Sequence, residues 1–216
     1  MQVKKEDIKK RIMKSAQKEF LEHGYASASL RVIAEKEGLT KGVVYSYFKS
    51  KDALFCALAA PAVRFIENEF ESNKNCWALK TDGSKAAYSY EESIQGFRTH
   101  AHAVLDHYES FKLLLFCAAG SSLKDYKERI IRLYAENFHM HHPAFLRTEC
   151  ERSTAGEMFI HTLAATYVSF LEELVLHEPD RKEADDYAVQ MAAFGYPGFE
   201  KMGFCKTKGK DKVRAG

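Results

Sequence analysis

Nine histidines and five cysteines are the side chains of this 216-residue sequence best suited to catalysis or metal binding. His139-Met140-His141-His142 and His100-Ala101-His102 hold metal-ligand types, but residues two apart on a helix point to different faces. The first cluster also stands just before Pro143, where a helix must fray. No metal site is expected. The cysteines, at 56, 76, 117, 150 and 205, are odd in number, widely spaced and form no CxxC. That argues against a disulfide framework and a thiolate zinc site, and reads as reduced intracellular thiols. There is no GxSxG, no HExxH and no phosphate-cradling glycine loop, so no catalytic residue and no cofactor is expected, and the chain reads as a non-enzyme.

A second chemistry, recognition of a polyanion, is better supplied. Lys41-Gly42-Val43 is followed by Tyr45 and Tyr47. Lys41 can reach a phosphate or a guanine edge, Gly42 lets the backbone approach, and Val43 can meet a thymine methyl. Tyr45 serves either packing or phosphate contact, since its ring can be buried while the hydroxyl stays available. The amides that begin helices near Ser29 and Thr40 can each hold a phosphate.

These groups need elements to position them. Ile8, Ile12, Ala16 and Phe20 make the apolar stripe of a first helix from Asp7 to His23, which Gly24 stops. Ser27 or Ser29 caps a second helix with Leu30, Ile33 and Ala34 inward, ended by Gly38. Thr40 caps a third, Lys41 to Tyr47. Two short helices joined at Gly38, with Leu39 sealing the elbow, are the sequence form of a helix-turn-helix whose second helix enters the major groove.

Charge agrees with this division. Residues 1–58 carry 12 basic and 7 acidic side chains, 59–205 carry 15 and 22, and 206–216 carry 5 and 1, for nets of +5, −7 and +4. A basic module ahead of an acidic one suits a nucleic-acid-binding head on a body that does not bind. The N-terminus has no apolar leader, and the most apolar long stretch, 158–176, is interrupted by His161, Ser169, Glu172 and Glu173. A cytoplasmic protein without a membrane span is expected.

The run from Ile33 to Leu54, Ile-Ala-Glu-Lys-Glu-Gly-Leu-Thr-Lys-Gly-Val-Val-Tyr-Ser-Tyr-Phe-Lys-Ser-Lys-Asp-Ala-Leu, resembles the signature of the TetR/AcrR family of bacterial transcription regulators, with Phe20, Gly24 and Tyr25 in support. Glu37 departs from it, standing where the family usually has a small residue; an acid there either weakens packing or faces water. The resemblance implies DNA contacts from Lys41, Tyr47 and Lys51, with Arg31 and Ser46 less committed. It also implies a double-stranded operator, a homodimer built from the last two long helices, about 154–177 and 184–194, and a small-molecule effector. The lysines of the first helix, Lys4, Lys9 and Lys10, read as solvated surface.

The expected architecture is all-α: a three-helix head over 1–52, a helical regulatory and dimerisation body over 53–205, and a basic tail over 206–216. Ser50 caps the fourth helix, in which Pro61 either makes a kink or opens a separate helix. Lys80 to Lys85 is a loop, Phe111–Ala119 a short helix stopped by Gly120, and Ser122 with Asp125 a capping box for the next helix, which Pro143 closes. The helix over 154–177 is apolar nearly all round, and Gly195-Tyr196-Pro197-Gly198 breaks the last one. Phe97, His100, Phe116, Tyr134, Phe138, Met158 and His161 are candidate linings of an effector cavity, each with plain core as its alternative. The competing function is a DNA-binding regulator with no inducer, controlled by a protein partner or acting architecturally.

Overall fold

The computed structural model describes residues 2–78, 89–141 and 153–201. Outside the described residues lie the loop expected at 80–85, Pro143, the tail 206–216, Cys150, Cys205 and the side chains of Lys4, of Cys76 and of the His139–His142 cluster. The described residues form helices and no strands: α1 (Gln2–Ser27), α2 (Leu30–Lys36), α3 (Lys41–Tyr47), α4 (Lys51–Ala78), α5 (Tyr90–Asp106), α6 (Tyr108–Phe116), α7 (Tyr126–His141), α8 (Thr154–His177) and α9 (Arg181–Lys201).

Packing divides the chain into two compact units. One comprises residues 1–68 and 107–133, the other 69–106 and 134–216. The first unit closes on Ile12, Ala16, Phe20, Leu30, Ile33, Val44, Phe48, Leu54 and Phe55, to which α6 and the turn after it add Leu113, Cys117 and Ala118. Phe20 and Phe55 are fully buried and meet edge to face at 5.1 Å, with Tyr25 completing the cluster at 5.2 Å from Phe55. Each buried phenylalanine contributes about 1.5–3 kcal/mol by leaving water.

Gly24 interrupts α1 as expected: at φ 68° and ψ 166°, open to glycine at little cost, it leaves the helical region, and a single further turn to Ser27 follows. Other local expectations need correction. α4 runs through Pro61, so of the two readings of that proline the separate helix is the one set aside. The amide that follows the proline, on Ala62, donates to the buried Ser110 hydroxyl of α6 at 3.0 Å, so a side chain serves the backbone where proline disturbs the helical ladder. Ser122 does not cap α7. Its amide and hydroxyl both donate to Asp52, at 2.8 Å each, and α7 begins later, at Tyr126. Gly195 and Pro197 do not break α9, which continues to Lys201.

In the second unit α5 packs along α9. A reciprocal capping box at Ser89 and Glu92 starts α5, and another at Asp180 and Glu183 starts α9. His102 Nε2 lies 2.8 Å from Asp185, and Arg181 pairs with Asp106, joining the two helices by charge as well as by packing. α8 is long and apolar enough to cross a membrane by length and composition. Its Ile160, Ala164, Val168, Phe170, Leu171, Leu174 and Val175 are instead buried within this unit.

Candidate functional site

α3 is held by its ends. Thr40 Oγ1 accepts from the Val43 amide at 3.4 Å, and Phe48, 7% exposed, anchors the other end in the core. Val44 is the buried residue between them. Lys41, Gly42, Tyr45 and Ser46 are left facing solvent, Tyr45 at 45% exposure, and Val43 and Tyr47 are half-buried. The Lys41 ammonium stands 5.7 Å over the Tyr45 ring, so a cation and an aromatic share one exposed face of the helix. Gly42 has open space above it: a methyl built there meets only Thr40 Oγ1, at 3.7 Å.

α2 is set against α1 by a carboxylate that the sequence reading overlooked. Glu19, 2% exposed, accepts from the Ser29 amide at 3.2 Å and from Lys36 Nζ at 3.0 Å, tying both ends of α2 to α1. Burial raises its pKa, but the bonds from Lys36 and Ser29 outweigh that and hold the carboxyl below its ordinary value. The clue was its place on the buried stripe, one residue from Phe20. The Ser29 amide expected to hold a phosphate is therefore engaged by the protein's own carboxylate. Glu37 neither disrupts packing nor simply faces water: Arg11 donates to its carboxylate at 3.0 Å and to its carbonyl at 2.8 Å, pinning α1 to the turn before α3.

Lys51 is also turned inward. Its ammonium donates to the carbonyls of Ala26 and Ala28, at 3.2 and 2.8 Å, and lies 4.6 Å over the Tyr25 ring; burial holds its pKa below the usual lysine value. As placed, it supports the α1–α2 turn. Arg31 is exposed and pairs with Glu35 one turn on, at 2.7 Å. The α6–α7 connection buttresses the same head, through Tyr25 N–H to the Cys117 carbonyl at 2.8 Å and through the Asp52–Ser122 bonds. Burial pushes the thiols of Cys56 and Cys117 up in pKa, which disfavours the thiolate that nucleophilic chemistry needs.

The residues proposed to line a cavity separate into two groups. In the second unit, Tyr167 gathers His100, Tyr134 and Phe70 around it at ring distances of 5.2, 5.8 and 6.3 Å, and Phe97 stacks edge-on to Phe170 at 5.0 Å. Phe138 packs with Ile160 beside Tyr134. Among the described residues the buried Tyr167 hydroxyl has no hydrogen-bond partner, and burial together with Glu69 and Tyr134 drives its pKa well above 10. His100 Nδ1 sits 2.7 Å from the Gly96 carbonyl, and burial lowers the pKa of its ring. Phe116, Met158 and His161 do not join this cluster. Phe116 is an exposed residue of the first unit with Lys127 over its ring, Met158 is 65% exposed, and His161 is exposed. Solvent-facing positions on amphipathic helices read in sequence like cavity linings, because apolarity alone does not say what covers them.

Comparison with known proteins bears on the head and on the fold separately. Residues 12–58 match the family described as bacterial regulatory proteins, tetR family. Over 62 residues, 28% of this chain, the sequence is 37% identical to the HTH-type transcriptional repressor AcnR of Corynebacterium efficiens, covering 33% of that protein. It is 37% identical over 51 residues, 24% of this chain and 27% of the relative, to the HTH-type transcriptional repressor Rv1474c of Mycobacterium tuberculosis. These alignments thus span a third or less of the curated relatives' length. Among solved structures, a TetR-like transcriptional regulator from Rhodococcus sp. RHA1 aligns over 88% of this chain and 96% of its own, with TM-score 0.54 and 20% identity. A TetR-family regulator from Syntrophomonas wolfei aligns over 87% and 94%, with TM-score 0.54 and 16% identity. At such identities the likeness is one of fold.

Proposed function

We propose, from the premise that the chain is a member of the TetR/AcrR family of bacterial transcription regulators, that it is a sequence-specific DNA-binding repressor released from a pseudo-palindromic operator by a small molecule. The observation that carries the reading is the exposed face of α3. Lys41, Gly42 and Tyr45 are presented to solvent by a helix whose other side is locked into the core. In this reading the first 52 residues are the reading head. Thr40, Lys41, Gly42, Val43, Tyr45 and Tyr47 meet the major groove and its phosphates, Arg31 reaches the backbone from α2, and Ser29 and Lys51 hold the geometry. The family and the fold point away from an enzyme, and a DNA-binding role is consistent with a cytoplasmic protein.

A single seven-residue helix reads few bases, so two heads are required for a specific site. The exposed apolar side chains of the last two helices support a homodimer. Met158, Leu176 and Phe194 are 65, 60 and 81% exposed. Between the first two, the Thr162 and Thr166 hydroxyls fold back onto the carbonyls of Met158 and Thr162, at 2.8 and 2.9 Å, leaving their methyl groups outward. Support for an effector comes from the Tyr167 cluster, whose unpartnered hydroxyl is a donor that a bound molecule would satisfy. Sedimentation of the full chain with a palindromic duplex and with its half-site tests the assembly. Two protomers on the whole site and much weaker binding to the half are expected; equal affinity for both would refute a dimeric reader.

A further inference from the structure

Three lysines stand at the end of α3 opposite Lys41. Lys9 places its ammonium 5.8 Å over the ring of Phe48, the residue that ends α3. Lys5 lies one turn earlier on the same face of α1, and Lys49 follows Phe48; all three are exposed. Among the described residues none of the three has an ion pair, in contrast to Arg11, Arg31 and Lys36, which are bound to Glu37, Glu35 and Glu19. Like charges at i and i+4 weaken an isolated helix, and among the described residues no carboxylate offsets the Lys5–Lys9 pair; the Phe48 ring under Lys9 is the one favourable contact of either. A phosphate would offset the pair.

We infer that Lys5, Lys9 and Lys49 form a second phosphate-binding rim, which grips the DNA backbone beside the bases met by α3. The inference rests on the DNA-binding reading. It reassigns the start of α1 from plain solvated surface to part of the interface, with Phe48 fixing where Lys9 lies relative to α3. Lys14 and Lys18, further along α1, do not share the position. Lys18 is nine residues from Lys9, about 180° round the helix, and Lys14 about 140°. The rim neutralises charge without reading sequence, so it contributes affinity and salt dependence and leaves base preference unchanged.

The test is the salt dependence of affinity for a duplex selected by the wild-type full chain. Lys5→Gln, Lys9→Met and Lys49→Gln are combined, the methionine keeping an apolar stem over Phe48, and Lys14→Gln/Lys18→Gln is the control with the same kind of charge loss. The slope of log affinity against log salt is expected to shrink by roughly 0.9 per lysine, about 2.7 per head. Raising salt from 50 to 200 mM then narrows the gap between wild type and variant by about 40-fold per head, with the preferred motif and the melting temperature unchanged. A slope equal to that of wild type, or an equal loss in the control, overturns the rim while the DNA-binding reading stands. A wild-type chain that binds no duplex overturns that reading and the rim with it.

Discussion

Replacing Gly42 by alanine should move stability and DNA binding in opposite directions. Gly42 is the second residue of α3, exposed, and an added methyl meets nothing closer than Thr40 Oγ1 at 3.7 Å, an ordinary contact. The free chain gains the better helix former, about 0.5 kcal/mol this near a helix end, which for a chain of this size raises Tm by roughly 1–2 °C. If DNA approaches the backbone at this point, the same methyl intrudes on a filled interface. Overpacking of that kind costs about 1–3 kcal/mol, or roughly a 5- to 150-fold loss of affinity. Thermal unfolding and fluorescence anisotropy on a selected duplex measure the two effects separately. A variant that melts higher and binds as well as wild type would refute the argument that glycine is there to admit the backbone of α3 to DNA.

Three further outcomes follow from the packing. Tyr167→Phe should raise Tm, since it removes a buried hydroxyl with no partner at a gain of about 1 kcal/mol, and should weaken any effector that uses that donor; lower stability would show that the hydroxyl is satisfied in solution. Ser110→Ala strips the acceptor from the Ala62 amide beside Pro61 and should cost about 1–2 kcal/mol in denaturant unfolding, whereas a neutral result would mean that the α4 backbone is satisfied without it. His100 has its pKa held below 6.5 by burial, so the unfolded chain takes up a proton first as pH falls and stability is lost below about 6.5. Its loss between about pH 7 and 5.5 should be smaller in His100→Asn, and an unchanged loss would place the acid sensitivity elsewhere.

The head was legible because its signals are local. Thr40, Gly38 and the Leu30/Ile33/Ala34 stripe define α2 and α3 within a few residues, and the helices begin and end where those residues place them. Long-range polar pairing was not legible. Glu19, Glu37, Lys51 and Ser122 each look solvent-facing or locally engaged in sequence. Their partners lie 10 to 70 residues away, at Ser29 and Lys36, Arg11, Ala26 and Ala28, and Asp52. The break expected at Gly195–Gly198 misled in the same manner, since α9 continues to Lys201. Pro61 and Pro197 are tolerated because tertiary contacts settle what local propensity leaves open, and at Pro61 the Ser110 hydroxyl shows how. The aromatic cluster was half legible: a density of aromatic and histidine side chains marked out Phe97, His100, Tyr134 and Phe138, but the same criterion took in Met158 and His161, which sit on the open side of α8, and periodicity cannot separate the open from the closed side of a helix that is apolar nearly all round.

The most direct test of the central claim is selection from a randomised duplex library by the full chain, beside a Lys41→Ala/Tyr47→Ala variant of equal stability. One enriched palindromic motif, with half-sites one or more helical turns apart and lost in the variant, is the result expected of a dimeric reader acting through α3. Salt-sensitive binding with no enriched motif, or the same motif in both proteins, would contradict it.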